Sequence, residues 1–192
     1  NYCKGVRAAM SDMLDIIIST TTKLFESHCT RDVLESADQG RWPAELWSEV
    51  TSAGLTRSLL PEDHGGANLS EEDAFSVVRL SGYHSAPIPL GETIFAARLL
   101  HSAGVEVPDG PLTLAPCTPG DELELVKKHG TWEVNGACKR VPWGRQASLI
   151  LALANREEGA CIVCLDPSAT EIAGGVNLAS EPRDTVHVKS VK

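Results

Sequence analysis

Apolar residues change their spacing once along this chain, near Gly104. Before it they recur at three- and four-residue steps, the period of a helix face; after it they recur mostly at two, the period of a strand. Helices followed by strands, without alternation, predict an α+β chain and argue against a doubly wound dinucleotide-binding sheet. The expected architecture is an N-terminal all-helical domain over residues 1–108, followed by an antiparallel β-barrel-like domain over residues 109–192.

In the helical half, Met10, Leu14, Ile17, Ile18, Thr21, Leu24 and Phe25 draw one stripe on a first helix. A short helix is expected from about Arg31 to Ala37. A third runs through "GRWPAELWSEVTSAGL", with Pro43 in its first turn and Gly54 at its left-handed end. Ser70 is the expected N-cap of a fourth helix, with Ala74, Val77, Val78 and Ser81 inward. A fifth runs from about Leu90 to Ala103. Helical spacing places the aromatics Phe25, Trp42, Trp47, Phe75 and Tyr83 in the core.

In the strand half, "PLTLAP", "ELELV", "ACIVCLD" and "DTVHVKSV" read as strands, and "ASLILALA", apolar on both faces, as a central one. Asn135-Gly136 is a tight-turn signal.

Charge narrows the function. Seventeen basic and 26 acidic residues give −9, which repels nucleic acid and anionic membrane surfaces. The apolar run "LILALA" is too short to span a bilayer. "NYCKGVRAAM" holds no apolar signal core, which makes a cytoplasmic setting the default. Its lack of an initiator Met suggests that the real N-terminus lies upstream. The six cysteines are scattered, and the CxxC of "ACIVCLD" falls on an expected strand, where its thiols point to opposite faces. Buried reduced thiols are expected there rather than a metal site.

The stretch "LLPEDHGGANLSEED" poses a choice. Its His-Gly-Gly resembles a hydrolase oxyanion loop, but that chemistry needs a nucleophile elbow, and the sequence has no GxSxG. Gly65 and Gly66 instead suit positive φ in a joint between two helices.

The same stretch, extended to "LWSEVTSAGLTRSLLPEDHGGANLSEED", resembles the N-terminal helical domain of the acyl-CoA dehydrogenase family: Leu46-Trp47, Ala53-Gly54-Leu55, Pro61-Glu62, Gly65-Gly66 and Leu69-Ser70 match its pattern. "WEVNGACKRVPWGRQASLILALA" and "EPRDTVHV" are similar to its middle β-domain. The resemblance implies α,β-dehydrogenation of an acyl-CoA thioester, with FAD taking the hydride and an electron-transfer flavoprotein-type acceptor reoxidising it. It also implies a homo- or hetero-oligomer. The catalytic glutamate lies in the family's C-terminal bundle, so no catalytic residue is assigned here, and no metal ligand. The implied cofactor-facing positions are Cys117 and Thr118 in a first loop, and Val141, Pro142 and Trp143, with Arg140 beside them, in a second. Pro142 has no N–H to offer a flavin. Two alternatives stand beside the enzyme: a subunit that has lost its flavin contacts or base, and a scaffold module.

Overall fold

The computed structural model describes residues 2–117 and 122–191, with side chains from residue 14 onward. It divides into two compact units, one ending at Ile94 and the other beginning at Phe95.

The first unit is helical: α1 (Tyr2–His28), α2 (Arg31–Asp38), α3 (Ala44–Ser52), α4 (Glu71–Tyr83) and the start of α5 (Leu90–Ser102). The Thr30 hydroxyl caps α2, and the Ser70 hydroxyl accepts the Asp73 amide at 3.1 Å to cap α4. Pro43 stands at the N-cap of α3, one position before the expected first turn. α1 packs on α3 and α4 around Phe25, Leu46, Val50, Ala74 and Val77, all buried. Two expected core aromatics lie outside it. Phe75 is 57% and Tyr83 77% exposed, because Ala74, Val77 and Leu80 take the inward face of α4.

The joint between α3 and α4 uses its glycines differently. Gly65 is left-handed, with φ 72°, as expected. Gly66 does not have a positive φ; it is needed for close approach, since a Cβ there would lie 2.0 Å from the Leu60 carbonyl oxygen.

Among the described residues the second unit carries seven strands: β1 (Leu112–Leu114), β2 (Leu123–Lys128), β3 (Thr131–Pro142), β4 (Leu149–Arg156), β5 (Gly159–Leu165), β6 (Glu171–Ala173) and β7 (Arg183–Val191). The expected antiparallel barrel gives way to an open, mixed sheet. β1 and β2 both run parallel to β4, while β2–β3, β3–β7, β4–β5 and β6–β7 are antiparallel. Among the described strands β1, β5 and β6 each pair with a single neighbour, and the sheet does not close. The parallel pairs arise because β3 carries the chain back across before β4 begins, the long crossover that parallel pairing requires. The core holds Leu123, Val134, Cys138, Val141, Ile150, Ala152, Ala154, Leu165, Val186 and Val188.

The tight turn is elsewhere than Asn135-Gly136. Lys128 pairs with Thr131, so His129 and Gly130 form the two-residue turn, at φ 50° and 84°. Both being positive matches a type I′ hairpin turn. Asn135-Gly136 sits inside β3 at a register shift, with Gly136 at φ 130° and too close to the Glu122 carbonyl to carry a Cβ. The expected buried thiols are also corrected in part. Cys161 is half-buried, but Cys164 points outward and is exposed.

Candidate functional site

Two places on the sheet concern the expected cofactor-facing residues. The first is an interruption in the ladder beside β4. Leu114 pairs with Leu151 and Leu123 with Ala154. The chain thus uses eight residues between Leu114 and Leu123 where β4 has only two between Leu151 and Ala154. A cavity of about 100 Å³ opens there, lined by Ala115, Pro116, Cys117, Glu122, Cys138, Leu153 and Asn155. Of its lining, Cys138 belongs to the buried core and Leu153 is 40% exposed. The Asn155 amide donates to the Glu122 carboxylate at 3.3 Å across its rim. Its volume is well below the roughly 300–1,000 Å³ that encloses a drug-sized molecule.

The second place is the turn from Pro142 to Ala147. Val141 is fully buried in the core, so its side chain serves the sheet. The Thr113 hydroxyl donates to the Pro142 carbonyl at 2.6 Å. Trp143, at φ 53° and nearly buried, donates its amide to the Pro182 carbonyl at 3.3 Å. Its own carbonyl accepts the Gln146 and Ala147 amides, each at 3.0 Å. Arg145 donates its amide to Asp184 Oδ2 at 2.8 Å and its Nε to Oδ1 at 3.0 Å; its Nη2 also reaches Oδ1. The Gly175 amide completes the set, donating to Asp184 Oδ1 at 3.1 Å, and Arg145 Nη2 returns a bond to the Gly175 carbonyl at 2.6 Å. Asp184 itself is fully buried.

The expected residues are therefore split. Cys117 is exposed at the cavity, Val141, Pro142 and Trp143 belong to the turn, and Thr118 lies outside the described residues. Arg140 is exposed at the bulge where the β3–β7 register shifts, with φ 55°. Sequence reading missed Asp184, Arg145 and Gly175. The available signal was an acid at the head of the strand-like run "DTVHV", since a charge buried there demands a partner. Among the described residues no group of three or more metal-ligating side chains occurs.

A family model of the acyl-CoA dehydrogenase N-terminal domain matches residues 11–106, half of the chain. The chain belongs to the acyl-CoA dehydrogenase family. A comparison with curated proteins gives no match. Among solved structures, this acyl-CoA dehydrogenase-family chain is similar to the Tcur3481-Tcur3483 steroid ACAD G363A variant, at 21% identity and TM-score 0.83, covering 94% of this chain and 56% of that one. It is similar to the ChsE4-ChsE5 complex from Mycobacterium tuberculosis, at 16% identity and TM-score 0.81, over 92% and 54% of the two chains. It is also similar to PigA with FAD and proline, at 13% identity and TM-score 0.71, over 93% and 55%. These likenesses establish the fold in both its helical and its strand parts. The chain spans about half the length of the structures it matches.

The family implies FAD, and the turn can be tested for it. A flavin edge needs outward donors, and here Pro142 has none while the Trp143, Arg145, Gln146 and Ala147 amides are all bonded within the unit. Gly144 alone in the turn has an amide without a partner among the described residues, and it is buried. The turn's backbone amides do not fit a flavin edge.

Proposed function

We propose that this chain takes part in α,β-dehydrogenation of an acyl-CoA thioester, in a flavoprotein assembly that uses FAD and passes electrons to an electron-transfer flavoprotein-type acceptor. It supplies the N-terminal and middle parts of an acyl-CoA dehydrogenase-type protein, with residues 1–108 as the helical domain and 109–192 as the β-domain. The observation that carries this reading is the family match over the helical half, joined to a sheet half of the same fold. The chemistry needs a site from which water is kept, so that fixed dipoles act on the developing enolate charge in a low dielectric. We assign this chain to the walls of such a site, and assign no carboxylate of it as the base. No helix among the described residues is long and apolar enough to cross a membrane. A cytoplasmic oligomer is the setting we propose.

A second reading is favoured by the bonded turn. In it the chain is a subunit that has lost its flavin contacts and works beside a second chain of the family. The test is thermal unfolding of the full chain with a series of acyl-CoA thioesters, FAD, or both. A rise in midpoint with a thioester supports a role in this chemistry. No response to any thioester, with or without FAD, removes both readings and leaves a scaffold.

A further inference from the structure

We propose that Asp184 is a positioning residue that seals the 142–147 turn, so that this chain presents a closed wall where the family resemblance puts a flavin-facing loop. Four observations converge on it. The turn's entrance is tied down by Thr113 to the Pro142 carbonyl and by the Trp143 amide to Pro182. Its exit is tied back on the Trp143 carbonyl by Gln146 and Ala147. Its middle is held by Asp184, which takes the Arg145 amide and guanidinium together with the Gly175 amide. Finally, the turn and its partners pack closely: a Cβ on Gly144 would come within 3.3 Å of Asp184 Cβ, and one on Gly174 within 3.2 Å of the Arg145 guanidinium.

A buried carboxylate accepting several N–H bonds is a strong organiser, because each donor it holds is costly to strand. The same bonds that order the turn engage the backbone amides a flavin ring would use. Opening the turn to a ligand would strip Asp184 of its partners inside an apolar core, and no ligand carbonyl can repay a buried carboxylate with a donor. Any flavin in a working assembly is therefore hydrogen-bonded by groups other than these bonded backbone amides. The inference rests on the family reading only in choosing flavin as the ligand to test.

The experiment is a titration of the full chain, labelled with nitrogen-15, by FAD and separately by FMN. Backbone amide shifts are followed for Trp143, Gly144, Arg145, Gln146, Ala147 and Gly175. The expected result is no shift at these six, whether or not resonances move elsewhere. Movement of the Trp143, Gly144 or Arg145 amides on saturation with either flavin would overturn the proposal. Hydrogen exchange on Asp184→Asn gives a second reading. Loss of protection at Arg145 and Gly175 together supports Asp184 as the organiser, and unchanged protection at both contradicts it. If that variant does not fold, the wild-type titration decides alone. A missing thioester response would sink the functional reading while leaving this result standing.

Discussion

Arg145 lays its guanidinium and its backbone amide on the one carboxylate of Asp184, across 39 residues of sequence. The carboxylate is wholly buried, whereas the arginine side chain keeps 39% of its exposure. That asymmetry decides what each substitution does. Arg145→Ala leaves a buried charge without its cation and should cost about 3–5 kcal/mol. Asp184→Asn leaves a cation that still reaches water and a side chain of nearly unchanged shape, and should cost about 1–3 kcal/mol. Urea midpoints of the two variants check the order, and a larger loss for Asp184→Asn contradicts it.

The joint between α3 and α4 makes a second prediction. Gly66→Val forces a side chain against the Leu60 carbonyl, which is backbone and cannot swing away. It should destabilise by about 1–3 kcal/mol or more. Gly65→Ala meets only an ordinary contact with Arg57 Cδ at 3.9 Å but a left-handed φ of 72°, and should cost about 1 kcal/mol. Equal denaturation midpoints for Gly66→Val and wild type would remove the close-approach argument.

Ser70 caps α4 through the Asp73 amide, and its hydroxyl also donates to the Asp73 carboxylate at 2.8 Å. Ser70→Ala should lower stability by about 1 kcal/mol, while Ser70→Thr, which keeps the hydroxyl that both accepts from the Asp73 amide and donates to its carboxylate, should retain most of it. Thermal unfolding of the pair reads this directly.

Burial pushes the Cys29 thiol up from 9.0 to about 11. A folded value above the unfolded one means that this group's contribution is fully present below about pH 9 and is lost as pH rises through about 11. Cys29 should therefore alkylate slowly at pH 8 and gain rate towards pH 11, which site-resolved mass spectrometry measures. A rate that levels off by pH 9 would contradict it.

Legibility from sequence followed the range of the forces involved. Local signals held: the caps at Ser70 and Gly54 and the central place of β4 were readable because each is set within a few residues. Long-range pairings were not. Nothing near Leu112 or Leu123 announces that both will lie parallel along β4, so a mixed open sheet read as an antiparallel barrel. Asn135-Gly136 carried a turn signal, yet its glycine answers to the nearby Glu122 carbonyl and a strand bulge. At the candidate site, the missing N–H of Pro142 could be read from the sequence. The engagement of the other donors could not, because Asp184 and Pro182 reach the turn from β7 and the segment before it.

The most direct measurement is the visible absorption spectrum of the native assembly, recovered through a tag on this chain, before and after acyl-CoA thioester is added anaerobically. Flavin bands that bleach on addition are the expected result, whichever chain holds the flavin. A colourless assembly, or flavin bands indifferent to every thioester tried, would contradict the account.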